Sequence, residues 1–366
     1  MNQIFTILNP FNPKNPLSPM SPMNPLHPQN ALNPLNLIPV IGASLGKGFF
    51  SGGVCNIRKD LTGKVILITG GNDGIGRETT RELAKMNATI VIASRNPQKS
   101  LPVVDEIKAE TRNPNLDFMK MDLADLESVK NFSEEFKAKY KKLDILINNA
   151  GVAGIVGRTL TKDGYETQFQ TNYLGHFYLT NLLLDRVKDS APSRIINVAS
   201  SVHHFGQIQW DNLNGEKYYS KVQAYENTKL ENVMFTRELQ KRLNQGNFDV
   251  RVVAVHPGWV RTKIYGYIQE IYFWRVFFTL IKPFTYYFWK SPLEGAQTSL
   301  YCALENHDKL IPGCYYADCK PGNVSPRALN EEDSRRLWEV SENLIADRIY
   351  SGMYQNQVKP IGLNIY

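Results

Sequence analysis

The sequence predicts an α/β protein of the doubly wound class, with one parallel sheet of about seven strands and helices on both faces. Two observations carry this expectation. From residue 61 onward, apolar β-branched runs alternate with stretches of helical periodicity, and such alternation yields right-handed crossovers between parallel strands. The first of those runs ends in a glycine-rich turn, "ITGGNDGIGRE", that opens directly into a helix.

Each element can be justified in order. "KVILIT" (64–69) is a continuous apolar run, as expected of a strand buried on both faces. A helix is expected from Ile75 to Met86 and a second strand at "TIVIAS" (89–94). Pro102 to Arg112 reads as helix, "LDFMKMD" as strand, and Leu126 to Tyr140 as helix. "LDILIN" (143–148) is the fourth strand, with a long helix from about Gly164 to Lys188 behind it. "RIINVAS" (194–200) and "DVRVVAVH" (249–256) are the fifth and sixth strands, separated by a helix through Tyr225 to Leu243. "GCYYA" (313–317) is a short seventh strand.

The flanks differ in composition. Prolines recur at every third position from Pro10 to Pro28, a period that suits polyproline II and excludes helix or sheet. Residues 1–45 are therefore expected to be an extended arm outside the fold. It reads as a low-complexity tail, with a docking ligand for an aromatic-lined groove as the alternative. The domain is expected over 46–350, with an aromatic apolar insertion at 264–290 and a tail at 351–366. The insertion holds "IYFWRVFFTLIKPFTYYFW", long enough to cross a bilayer but broken by Arg275, Lys282 and Pro283. It reads equally as packing over an apolar pocket and as peripheral membrane contact.

Bulk properties exclude several functions. Hydrophobic content of 42% and charged content of 21% over 366 residues describe an ordinary globular chain. A net charge of +7 suits an anionic cofactor or an acidic membrane surface, but no Lys/Arg block indicates nucleic acid. Cys55, Cys302, Cys314 and Cys319 lack the spacing of a disulfide framework or a zinc site, so no metal is expected.

Candidate chemistry begins at the glycine turn. Gly70, Gly74 and Gly76 allow a tight bend and close backbone approach, so that a pyrophosphate can rest on the helix N-terminus. A second candidate is "QAYENTKLENV", where Tyr225 precedes Lys229 by one helical turn and both side chains share a face. The same spacing recurs at Tyr286/Lys290 and Tyr316/Lys320, so spacing alone does not choose among them.

Four separated segments together resemble the short-chain dehydrogenase/reductase family, whose fold is a single Rossmann-type sheet. They are "TGGNDGIG", "NNAG" (148–151), the Tyr225/Lys229 helix and "HPGWVRT" (256–262), in family order, and the likeness spans about 50–345. Only Tyr225/Lys229 lies between the fifth and sixth strands, which makes it the family pair. The resemblance implies a catalytic tetrad of Asn172, Ser200, Tyr225 and Lys229, Ser200 standing three residues after Asn197. It implies that Tyr225 exchanges a proton with a carbonyl oxygen, Ser200 bonds that oxygen, Lys229 holds the nicotinamide ribose, and Asn172 positions a water linking Lys229 to solvent. His203 and His204 are expected in a loop near the pocket mouth.

Cofactor contacts implied by the resemblance are Gly70, Asn72, Gly74, Ile75, Gly76, Ser94, Arg95, Asp122, Leu123, Asn149, Ala150, Gly151, Tyr225, Lys229, Pro257, Gly258, Val260 and Thr262. At the end of the second strand, "ASRN" places Arg95 where it can pair with a 2′-phosphate, so NADP(H) is the expected cofactor. Asp73 in the glycine turn works against that phosphate and leaves NAD(H) open.

"FFSGGVCN", "TNYLGHFYLTNLLLD", "VMFTRELQKRL", "EGAQTSLYCAL" and "GCYYADCK" look like the retinol dehydrogenase branch, the microsomal retinal reductases. Members of that branch are generally membrane-associated and act on lipophilic aldehydes and alcohols. The expectation is a protein on the cytoplasmic side, peripheral to the endoplasmic reticulum membrane, with a lipophilic carbonyl or alcohol as substrate and pairing into a homo-oligomer open. A steroid or other carbonyl reductase, or a non-catalytic NADP(H)-binding sensor using the proline arm, are the alternative readings.

Overall fold

The structure, a computed structural model, describes residues 52–260 and 289–354. All of these except Gly52 and Trp289 belong to one compact unit. The arm 1–45 and the insertion 264–290, apart from its last two residues, lie outside the described residues, as does Thr262.

Among the described residues eight strands form one sheet in the order β3-β2-β1-β4-β5-β6-β7-β8. In chain order the elements are β1 (Val65–Thr69), α1 (Gly74–Ala84), β2 (Thr89–Ser94), α2 (Pro97–Thr111), β3 (Leu116–Lys120), α3 (Leu126–Lys139) and β4 (Ile145–Asn148). The helical run α4 covers Thr167–Phe169, a π turn at Gln170–Leu174 and Gly175–Asp189. Then come β5 (Ser193–Val198), α5 (Lys221–Gln245), β6 (Val250–His256), α6 (Pro292–Leu304), β7 (Tyr315–Ala317), β8 (Lys320–Pro321) and α7 (Glu331–Tyr354). All pairings are parallel except β7 with β8.

Burial on both faces explains the continuous apolar strands. Ile66, Leu67 and Ile68 are all fully buried. Leu67 faces a core shared with Phe132 of α3, Phe177 of α4, Phe235 of α5 and Trp338 of α7. Ile66 and Ile68 face the other core, with Leu83 of α1, Ile107 of α2 and Leu300 of α6. The Phe177 ring lies 5.3 Å from Phe235 and 4.8 Å from Trp338. Truncating one of these rings to Ala costs about 3–5 kcal/mol, so α5 is held rigidly against the sheet.

Two helix starts and one added strand depart most from the sequence expectation. Helix α2 begins at Pro97 rather than Pro102, because Asn96 caps it by accepting from Lys99 N at 3.0 Å. Helix α4 begins at Thr167 rather than Gly164, with the Glu166 carboxylate accepting from Phe169 N at 2.8 Å. An eighth strand exists because Asp318 and Cys319 both take positive φ (50° and 60°), forming a two-residue turn that folds Lys320 back onto Ala317. Tyr316 and Lys320 thus sit on neighbouring strands, not on a helix, and the Tyr316 hydroxyl accepts from Ile311 N at 2.9 Å.

Strand order reverses between β1 and β4: the chain runs outward from β1 to β3, then returns to lay β4 on the other side of β1. The register aligns Ile68 with Ile147, Asn148 with Asn197, and Val198 with Val255, so these strands end at one rim. Crevices at such a rim are where open α/β sheets bind ligands.

Candidate active site and dinucleotide cradle

The rim brings together most of the residues singled out from the sequence. Tyr225 and Lys229 lie in the first turns of α5, whose N-terminus is capped by Ser220. Lys229 is 3% exposed; its Nζ donates to Val198 O at 2.9 Å and stands 5.4 Å from the centre of the Tyr225 ring. Burial pushes the Lys229 pKa down to about 8. Tyr225 lines an apolar-walled cavity with Ser200, Ala153, Val202, Val222 and Trp259. Ser201 is not among its lining residues; its backbone N–H instead donates to His256 Nδ1 at 3.2 Å.

Asn172 sits inside the π turn, a deformation that recurs at functional sites. Its side chain accepts from Val152 N and donates to Val152 O, both at 2.8 Å, and reaches Thr228 Oγ1 at 3.2 Å. A Cβ built on Gly151 would stand 3.3 Å from Asn172 Oδ1 and 3.9 Å from Lys229 Nζ, so both polar groups face the same point.

Two residues that sequence reasoning passed over lie beneath this group. Thr69 Oγ1 accepts from Asn149 N and Ala150 N, both at 2.9 Å, and stands 2.8 Å from His176 Nε2, with Ile147 O farther off at 3.5 Å. Because a carbonyl oxygen only accepts, the neutral His176 ring carries its proton on Nδ1, donates to Asn172 O at 3.2 Å, and accepts from Thr69 at Nε2. Burial pushes its pKa down to about 4, which keeps it neutral. The signal for these residues was the position of Thr69 at the end of β1 and of His176 one turn after Asn172.

His203 corrects an expectation. It lies in a 3-10 turn, is fully buried, and bridges Ser200 O at 2.7 Å to Ser325 N at 3.1 Å, so it fixes the serine's backbone rather than standing at a mouth. Only His204 is exposed. The reason is packing: the His203 ring lies 4.8 Å from Tyr315 on β7.

The glycine turn opens α1 as expected. A Cβ on Gly76 would stand 2.3 Å from Gly70 O and 2.5 Å from Asn149 Nδ2, so only glycine permits this approach. Asn149 Nδ2 donates to Thr69 O at 2.9 Å, tying the "NNAG" segment to the turn. Asp73 caps α1 by accepting from Gly74 N at 2.8 Å, which is a structural use of its carboxylate.

At the end of β2, Ser94 bonds Ser100 at 2.6 Å, and Arg95 is exposed, without a hydrogen-bond or ion-pair partner among the described residues. Asp122 folds back to accept from Ala124 N at 3.0 Å, and Leu123 is buried. Val260 is buried against Gly295 of α6, with Ile75 beside it, and Gly258 holds φ of 89°. The close-packed Gly76 and Arg95, which has no partner among the described residues, fit a dinucleotide. Among the described residues no cluster of His, Cys, Asp or Glu could hold a metal.

A parallel sheet with its glycine turn at the switch point and a Tyr–Lys helix beside an apolar cavity defines a dinucleotide-dependent oxidoreductase. The short chain dehydrogenase profile matches residues 64–271. Human retinol dehydrogenase 12 is 47% identical over 301 residues, covering 82% of this chain and 92% of that one. Mouse retinol dehydrogenase 11 is 44% identical over 296 residues, covering 81% and 90%. An uncharacterized protein from Mycobacterium paratuberculosis shares the architecture at TM-score 0.64 and 31% identity, covering 79% of this chain and 96% of that one. The chain belongs to the short-chain dehydrogenase family, in its retinol dehydrogenase-like branch, and is an oxidoreductase acting on CH–OH groups.

Proposed function

We propose that the protein interconverts a lipophilic aldehyde or ketone and its alcohol, of retinal/retinol or long-chain aldehyde type, using NADP(H). The observation that carries this reading is the cavity, which Tyr225 and Ser200 line together with Ala153, Val202, Val222 and Trp259. A mostly apolar wall that includes two hydroxyl residues, with His256, Lys221 and Glu226 also on its lining, suits a substrate with one reactive oxygen on a long apolar body.

When bound, a nicotinamide supplies or accepts hydride at the carbonyl carbon. The chain's own residues manage the oxygen. Tyr225 donates its phenolic proton to the carbonyl oxygen in reduction and takes it back in oxidation. A free phenol has pKa near 10, so efficient exchange at neutral pH requires about 3–4 kcal/mol of preferential stabilisation of phenolate. The Lys229 ammonium, enclosed beside the ring, supplies much of it, because charge acts strongly where water is excluded. Ser200 hydrogen-bonds the same oxygen, and Asn172 fixes the Val152 backbone next to the lysine.

Arg95, exposed and without a partner among the described residues, supports NADP(H), since a guanidinium pairs bidentately with a 2′-phosphate. Access to such substrates suits contact with a membrane surface through the aromatic insertion. Among the described residues no helix is long and apolar enough to cross a membrane. Co-sedimentation with liposomes tests that contact, and its absence with every lipid composition would refute it.

The test of the activity is NADPH and NADH oxidation by the full-length protein with all-trans-retinal, a long-chain aldehyde and a ketosteroid. Selective NADPH turnover of retinal or the aldehyde is expected, and Tyr225→Phe should lose it while still binding NADPH. Comparable turnover in Tyr225→Phe would sink the assignment.

A further inference from the structure

At the level of sequence, Lys290 is no more than a repeat of the Tyr-x3-Lys spacing. In the fold it is 6% exposed and lies beside Val260 at the rim. Its backbone N–H donates to Trp259 O at 2.7 Å, and it bridges in parallel to Val260. Its side chain runs under Gly258: a Cβ there would stand 2.6 Å from Cδ, 2.8 Å from Cε and 2.9 Å from Nζ. The ammonium ends on Asp318 Oδ1 at 2.6 Å, in the turn between β7 and β8. Asp318 is itself half exposed, and its carboxylate also accepts from Gly53 N.

From this geometry we infer that Lys290, paired with Asp318, is a positioning residue: it fixes the Pro257–Val260 segment and sets the electrostatics of the cavity wall at His256. The inference rests on the reading of that segment as the nicotinamide side of the site. Gly258 is not simply tolerant of the lysine; a side chain at 258 would occupy the lysine's own volume. The segment's path, and with it the place of Trp259 on the cavity's lining, is therefore set from below by Lys290.

His256 lines the same cavity and accepts from Ser201 N, next to Ser200. The ionisable groups facing it are Lys290, Asp318 and His203. Burial first, and then the Lys290 charge, push its pKa down to about 4, with Asp318 opposing. A neutral His256 keeps its Nδ1 lone pair for the Ser201 amide.

The two partners are not equivalent. Removing Lys290 leaves a carboxylate that water reaches, whereas removing Asp318 strands an enclosed ammonium. Lys290→Met keeps the apolar fill under Gly258 and should fold. Because it cuts the tie to Asp318 that anchors this fill, its kcat/KM for NADPH is expected to fall by about 10–100-fold, since a displacement of a positioned group by about 1 Å can cost as much as the upper figure. The primary deuterium isotope effect with 4-deuterated NADPH should change with it. Asp318→Asn should lower Tm more than Lys290→Met does. The double variant Lys290→Met/Asp318→Asn should regain stability without regaining rate.

Nuclear magnetic resonance titration of His256 in cofactor-free protein completes the test. Its pKa should rise in Lys290→Met as the neighbouring charge disappears. A wild-type rate and isotope effect in Lys290→Met, a double variant with full rate, or an unmoved His256 overturns the inference. Absence of NADPH turnover by the wild-type protein would instead refute the activity reading, and the His256 titration, which needs no turnover, would still decide the electrostatic role of Lys290.

Discussion

Lys229→Met should make the cofactor-free protein more stable while removing its activity. The folded structure lowers the Lys229 pKa from 10.5 to about 8, through burial alone. The folded state therefore binds fewer protons than the unfolded state between these values, and stability rises with pH across that window. Below pH 8 the full penalty of keeping the ammonium enclosed is present. At about 1.4 kcal/mol for each pH unit of that gap, it amounts to roughly 3 kcal/mol. Methionine fills a similar volume without charge, but leaves Val198 O without the Lys229 donor, at a cost of about 1 kcal/mol or more. The net gain at pH 7 is about 2 kcal/mol, or a rise in Tm of roughly 4–8 °C for a domain of this size. The assay is urea unfolding of wild type and variant at pH 7 and pH 10. The advantage of the variant should shrink as pH passes 8 and vanish or reverse by pH 10, because the wild type sheds its penalty while the orphaned carbonyl remains. A variant less stable than wild type at pH 7, or an advantage independent of pH, would refute the claim that this lysine is held against its own solvation for catalysis.

Three further outcomes are expected from the geometry. Arg95→Ala should raise the KM for NADPH by about 10–100-fold and leave that for NADH nearly unchanged, as befits charge-assisted bonds to one phosphate; parallel kinetics with the two cofactors decide it. Gly76→Ala should lower stability by about 1–3 kcal/mol and weaken NADPH binding, because the new methyl meets Gly70 O at 2.3 Å; thermal unfolding and a fluorescence titration measure both. Glu231 on α5 is 2% exposed, its Oε2 has no hydrogen-bond partner, and burial together with Glu166 raises its pKa well above 4.5. The folded state then holds the proton longer than the unfolded one, so this residue's contribution to stability declines as pH rises above the unfolded value. Glu231→Gln should gain on wild type by about 1.4 kcal/mol per pH unit over that range; a difference that stays flat from pH 5 to 8 would argue against it.

Much of the site was legible because its parts are local. A glycine turn between a buried strand and a helix, or a tyrosine one turn before a lysine, is complete within a dozen residues. Helix starts were less legible. The Asn96 cap moved α2 five residues earlier than the proline at 102 suggested, and a side-chain cap competes with proline as a start signal. A turn between Tyr316 and Lys320 was legible in the sequence, but the strand pairing beyond it was not, because neither Asp318 nor Cys319 is glycine although both take positive φ.

By itself the sequence determined the doubly wound class, the glycine turn, the Tyr225/Lys229 helix and the order in which these meet the sheet, since each depends on side-chain period and backbone freedom over short stretches. Tertiary structure alone decided which polar groups share an environment. It put His176 between Thr69 and Asn172, drew His203 inside to hold Ser200, and turned Lys290 from a chance match into a buried cation under Gly258. Those outcomes depend on contacts between strands and loops as many as 122 residues apart, such as Ser325 with His203. Burial, and with it the pKa and partner of each group, is a property of the packed rim and has no counterpart in the local pattern.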